Sequence, residues 1–157
     1  MSIRSWTIAG VCFLAAAGGC DRGEPGPAVT IRGTTWQVEL AMTSDERYQG
    51  LSNRRSMPDG RGMLFLYPSA DVRAYCMRRC LIDLDIAFIG PDLRVVKMYT
   101  MKVEPGGAAA VTYSSESPAQ YVLETEAGAL ERAGVRAGDV VSFSAAVPEA
   151  AKARPGM

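Results

Sequence analysis

The sequence predicts a mainly β domain: a small, mostly antiparallel barrel or strongly curved sheet with two short helices. Three observations predict it. Apolar residues recur at every second position in several short segments. Gly, Pro and Asp separate those segments at short intervals, which favours hairpins over parallel crossovers. Only two stretches carry helix-end signals.

The elements follow in order. Residues 29–40 alternate apolar and polar through Val29, Ile31, Trp36, Val38 and Leu40, and Gly33-Thr34 predicts a turn between two strands. Thr43 with Glu46 forms a capping-box pattern that opens a short helix through about residue 53. Gly50 within it marks a close backbone contact or an early end. After the turn-rich residues 57–62, the apolar run 63–67 stops at Pro68, as a buried strand does, and residues 72–77 alternate weakly. Residues 81–89 are the strongest strand, with Leu84, Ile86 and Phe88 on one face and Asp83, Asp85, Ala87 and Ile89 on the other. Gly90-Pro91-Asp92 turns it into a return strand over 93–101. Residues 103–118 read as a long loop, functional or mobile. A strand over 119–125, with Tyr121 and Leu123 on one face, leads to a short helix over 126–133 closed by Gly134. Gly138-Asp139 turns the chain into a last strand over 140–147.

The N-terminus reads as an address. Arg4 precedes the apolar residues 6–17, which suit a secretory signal and are short for a membrane span. Ala17-Gly18-Gly19-Cys20 then resembles the lipobox of bacterial lipoproteins, in which the Cys is lipidated. The resulting expectation is a signal over 1–19, a lipidated Cys20 with a Gly- and Pro-rich tether over 20–28, one β-rich domain over 29–147 and a flexible tail over 148–157. The protein would then sit in the cell envelope, lipid-anchored to a bacterial membrane and facing the periplasm or the exterior.

Composition narrows the chemistry. Seventeen basic and 17 acidic side chains leave no net charge to draw the chain to nucleic acid, and there is no histidine. Ser-His-Asp and Cys-His centres, His-ligated metals and imidazole pH switches are excluded. No catalytic residue, metal site or cofactor is assigned, and Met57, Met63, Met77, Met98 and Met101 read as core fillers.

Of the remaining cysteines, Cys76 and Cys80 are too far apart on a straight strand for a disulfide, but a tight turn at Arg78-Arg79 brings them within reach. A disulfide, two free core thiols and a redox pair all stay open. Six Arg against two Asp lie between residues 54 and 79, an excess suited to an anion. The plain alternative is Arg on exposed turns, paired with surface acids. Asp83 and Asp85 share a strand face, where they serve as paired catalytic carboxylates or as structural acceptors; buried, one would need Arg47, Arg54 or Arg78.

Thr43, Glu46-Arg47, Gly50-Leu51, Arg54, Gly62-Met63-Leu64-Phe65, Pro68, Met77, Leu84-Asp85-Ile86-Ala87-Phe88, Pro118-Ala119, Tyr121-Val122-Leu123-Glu124, Gly128, Gly134 and Gly138-Asp139 with Val141 resemble the bacterial and archaeal family called domain of unknown function 192. The resemblance runs over about residues 36–144 and implies a compact β-rich domain without an established activity, in proteins often secreted or membrane-attached. Many members read Trp-Met-Lys-Asn-Thr around Met77, where this chain has Cys76-Met77-Arg78-Arg79-Cys80. They also often have Met after Gly-Leu, where this chain has Ser52.

The functional expectation is an envelope lipoprotein whose body binds a ligand without catalysis. Arg47, Arg54, Arg78, Arg79, Asp83 and Asp85 are the candidate site. Its partners would be the membrane, through the lipid on Cys20, and an anionic small molecule or envelope protein. The alternative is a His-independent enzyme using Asp83 and Asp85 with Arg, or thiol–disulfide exchange at Cys76 and Cys80.

Overall fold

The structure is a computed structural model that describes residues 26–150. The signal, Cys20 and the lipobox lie outside these residues, as do most of the tether and tail.

Seven strands form one sheet. β1 (Ala28–Ile31) and β2 (Thr34–Ala41) make the expected hairpin, its turn held by positive φ at Arg32 and Gly33. The Thr43 capping box is present and opens α1 (Ser44–Gln49), which ends at Gly50 rather than near residue 53. Gly50 has φ 46°, and a Cβ there would lie 3.5 Å from the Phe65 ring, so the glycine serves both an early stop and a close approach. β3 (Arg61–Tyr75) follows, then β4 (Leu84–Ile89), β5 (Val95–Met101), β6 (Tyr113–Glu126), α2 (Ala129–Arg132) and β7 (Val141–Phe143). The sheet order is β5-β4-β6-β3-β2-β1-β7, and only β2 and β3 run parallel, joined through α1.

The sheet curls until its edges meet. The start of β5 bonds to the turn before β7: Gly138 N donates to Val95 O at 2.7 Å and Val141 N to Leu93 O at 2.8 Å. Asp139 holds that turn by accepting from Arg136 N at 2.7 Å, the local bonding that Asp in a Gly-Asp turn provides.

Two strands are longer than their sequence pattern indicates. The apolar run does stop at Pro68, but β3 resumes beyond it and pairs with β6 as far as Tyr75↔Tyr113, with register shifts between Leu66 and Asp71 and between Val72 and Ala74. Polar residues mask this outer ribbon, so residues 113–118 looked like loop. At the shifts β3 folds back on itself. Phe65 and Tyr75, ten residues apart, bring their rings to 5.3 Å, whereas a straight strand would separate them by about 33 Å.

The fold-back buries the central strands on both faces. Leu64, Leu66, Ala87, Ile89 and Leu123 pack inside the curl with Trp36, Ile31 and Leu130. The alternate residues Met63, Phe65, Leu84, Ile86, Phe88 and Val122 pack against Leu51, Met77 and Cys80 on the other side. Edge-to-face rings continue that second core from Phe65 through Tyr75, Phe88 and Tyr99 to Tyr113.

Asp85 is buried on the inner face, and its partners correct the expectation of an arginine. It accepts from Thr100 Oγ1 at 2.7 Å and from Leu130 N at 2.9 Å. Leu130 lies in the first turn of α2, whose N-cap is Gly128, a residue with no side chain to cap with. Asp85 therefore supplies the cap from a neighbouring strand, where a carboxylate also meets the positive end of the helix.

Asp85→Ala leaves the Leu130 amide and the Thr100 hydroxyl without their acceptor and is expected to cost about 3 kcal/mol in urea unfolding, while Asp85→Asn keeps one acceptor and costs about 1 kcal/mol. An Asp85→Ala loss no larger than that of an exposed substitution contradicts the capping role.

Candidate functional site

The fold-back of β3 forms walls of a half-open cavity of ≈ 220 Å³. Phe65 and Tyr67 enter from the first half of β3, Ala74 and Tyr75 from the second. Arg47 and Tyr48 come from α1, Cys76, Arg78 and Cys80 from the loop after β3, and Glu124 from β6. The loop is pinned from both sides: Ser52 Oγ donates to Arg78 O at 3.1 Å, Asn53 N to Arg79 O at 2.8 Å, and Arg79 N to Gly107 O at 3.3 Å. Met77 at its centre is fully buried and plugs it into the second core.

Glu124 forms the floor. It is 5% exposed and lies between Met63 and Ile86 on the neighbouring strands. Burial alone pushes its carboxyl up to about 8; no hydrogen bond or ion pair offsets the loss of water. Tyr67 and Tyr75 stand above it with their hydroxyls hydrogen-bonded at 2.8 Å, and burial raises both phenols. Burial likewise pushes the Cys80 thiol up to about 11, and Glu124 adds to that shift. At neutral pH the floor therefore holds a carboxylic acid, two phenols and a protonated Cys80 thiol, all uncharged.

The mouth is cationic. The Arg47 guanidinium lies 4.8 Å from the centre of the Tyr67 ring and donates to Met42 O at 2.6 Å and Leu66 O at 3.0 Å. Arg73 stacks on the same ring at 3.8 Å and lines an adjoining depression with Arg47 and Tyr67. Arg78 stacks on Tyr48 at 4.0 Å and donates to the Tyr48 carbonyl. The partners of Arg73 and Arg78 are neutral. Arg73 and Arg78 take part in none of the five ion pairs among the described residues, so their charge is positioned without being cancelled.

Of the residues singled out from the sequence, Arg47, Arg78, Cys76 and Cys80 meet here. The others do not. Arg54 forks onto Glu39, and that bond holds the Glu39 carboxyl below its usual value. Arg79 is exposed, with its backbone used to dock the loop. Asp83 accepts from Val103 N at 2.8 Å and Lys102 Nζ at 2.9 Å, which lower its pKa. Asp83 and Asp85 thus have separate structural partners. Cys76 and Cys80 are free thiols, Cys76 exposed and Cys80 buried, and no disulfide joins them. Among the described residues no group of three or more Cys, Asp or Glu is placed to hold a metal ion.

Glu124, Tyr67, Tyr75 and Arg73 were not singled out as site residues. A signal for Glu124 was present: with Tyr121 and Leu123 on one face of a strand, Glu124 falls on the other with Val122, in an otherwise apolar run. Tyr75 carried no such signal, because only the fold-back brings it beside Tyr67.

The raised Glu124 pKa is a stability statement. The folded protein keeps this proton to about pH 8, while the unfolded chain releases it near 4.5, so stability falls as pH rises through that window and levels off above it. Glu124→Gln removes this dependence. At pH 7 it is expected to unfold with roughly 3 kcal/mol more stability than the wild type, and near pH 4 with about the same. Parallel pH profiles for the two proteins would contradict the burial of an unpaired acid.

Comparison with known proteins adds the family. No curated protein matches the chain at a significant level. A Sinorhizobium meliloti crystal structure, described as a candidate transcription regulator, is 29% identical with a TM-score of 0.67, covering 74% of this chain and 91% of that one. A Novosphingobium aromaticivorans crystal structure of unknown function is 34% identical with a TM-score of 0.64, covering 73% of this chain and 83% of that one. The family profile for domain of unknown function 192, described as an uncharacterised ACR, matches residues 28–143. Most of the chain lies within that match, and the chain belongs to this family.

Proposed function

We propose that the domain is a binding module for a small organic anion, held in the cavity lined by Arg47 and Arg78, with Arg73 on the adjoining depression. The observation that carries this reading is the positioned, uncancelled charge of Arg78 at the cavity, with Arg73 close by, over a floor with no negative charge at neutral pH. Guanidinium groups already anchored to carbonyls and aromatic rings lose little freedom when an oxyanion arrives, and each keeps further N–H donors. Phe65, Tyr67 and Tyr75 would cover an apolar or aromatic body. Binding is favoured over catalysis because the buried thiol in the cavity is held protonated, which makes it a poor nucleophile. A net charge of +0 gives the chain no electrostatic pull on nucleic acid.

We further propose that Cys20 carries a lipid and that the polar residues after it tether the domain to a bacterial membrane, so that the cavity samples the envelope compartment. The lipobox-like Ala17-Gly18-Gly19-Cys20 supports this.

Calorimetric titration with benzoate tests the binding module. Arg78→Ala is expected to weaken benzoate roughly tenfold, the worth of one charge-assisted hydrogen bond, while Arg54→Ala and Arg79→Ala leave it unchanged. Equal binding of benzyl alcohol and benzoate, or indifference to Arg78→Ala, refutes it. For the anchor, the wild type is expected to pellet with membranes and to give a diacylated N-terminal peptide by mass spectrometry, and Cys20→Ser to do neither; an unmodified Cys20 in membrane-derived protein refutes it.

A further inference from the structure

Among the described residues Glu124 is the one acid lining the cavity, and no hydrogen bond or ion pair engages its carboxyl. Burying a carboxyl without a partner is unfavourable, and a fold has no structural reason to keep one where Val or Leu would pack. Asp85, the other buried acid of the central strands, shows the contrast: both of its oxygens are bonded. Resting on the anion-binding reading, we infer that Glu124 is a ligand-contacting residue whose carboxylic acid donates its hydrogen bond to the ligand's carboxylate, so that the anion is held only while Glu124 carries its proton.

The geometry supports a single carboxylate touching both ends of the site. Arg47, Arg78, Tyr67, Tyr75 and Glu124 all line the one cavity of ≈ 220 Å³, which brings the guanidinium groups and the acid around one small space. An O–H donor facing a carboxylate makes a short, charge-assisted bond, whereas an ionised Glu124 there would repel the anion. The other groups around Glu124 act with it. Tyr67, Tyr75 and Cys80 stay protonated into the alkaline range, Arg47 and Arg78 are the guanidinium groups of the same cavity, and its strand neighbours Met63 and Ile86 do not titrate. Cys76 is the remaining thiol of the cavity wall and is treated as a control.

The test is the pH dependence of benzoate binding to the full-length wild type between pH 6 and 9.5, where benzoate itself is always ionised. Affinity is expected to hold below pH 8 and to fall about tenfold per pH unit well above it, with up to one proton taken up per benzoate in buffers of differing ionisation enthalpy. Glu124→Gln keeps a neutral donor at the floor and is expected to bind benzoate with no pH dependence in this range. Cys76→Ser is expected to keep the wild-type pH dependence, whatever its affinity. A wild-type affinity that is flat with pH, or a slope that survives in Glu124→Gln or vanishes in Cys76→Ser, overturns the assignment while leaving Arg78-dependent binding intact. Failure of benzoate to bind at any pH overturns the anion-binding reading and this inference together. Proton uptake is read on the wild type alone, so the test does not depend on a variant folding.

Discussion

The fold-back of the β3–β6 ribbon is the constraint on which the rest of the domain depends. Pro68 and Pro118 sit at its register shifts, where residues without a backbone N–H interrupt the ladder at no loss to it. Beyond the shifts the ribbon returns over the sheet, and the sheet's outer face becomes a second core in place of a solvated surface. The aromatic series from Phe65 to Tyr113 fills the space between ribbon and sheet. Without the bend, Phe88 and Ile86 would face water, the 76–80 loop would have no bed for Met77, and the cavity would have no roof.

Burial on both faces makes the central strands selective about polarity, and the cavity is where that selection is relaxed. Its floor meets neutral acids and phenols, its mouth meets arginines held by carbonyls and rings. Electrostatically this is a separation of charge from desolvation: the cations stay where water can reach them, and the group that could become an anion stays where ionisation is penalised. Local departures from packing rules concentrate where a protein does something besides fold. Here the departures, an unpaired buried acid and uncancelled guanidinium charge, fall in one place.

How much of this was legible in the sequence follows from how local each feature is. The Thr43 capping box, the Gly33 hairpin, the Gly138-Asp139 turn and the two faces of β4 depend on residues within a few positions of one another, and they read directly. The curled, mostly antiparallel sheet followed from their sum. The outer half of β3 and the start of β6 did not read, because polar residues line a ribbon whose stabilising partner is its own returning half. Arg78, Cys76 and Cys80 were singled out for charge and chemistry and do line the cavity. Arg54 and Asp83 were singled out on the same grounds, yet Glu39 and Lys102 engage them, partners whose proximity no local pattern encodes.

Asp85 and Glu124 together show why composition alone could not locate the site. Both are acids on central strands, both are buried, and they lie on opposite faces of the same three-stranded core. Asp85 attracted attention because a second acid stood two residues away, and it proves to be structural: its oxygens complete a helix end and a neighbouring hydroxyl. Glu124 stood alone in an apolar run. What separates them is satisfaction, a property of the folded neighbourhood. A buried acid with its bonds complete stabilises the fold that surrounds it. One with its bonds unmade destabilises the fold at neutral pH, and the structure keeps it at the floor of a cavity with a cationic mouth. On the binding reading proposed above, the ligand's carboxylate is the partner that completes it.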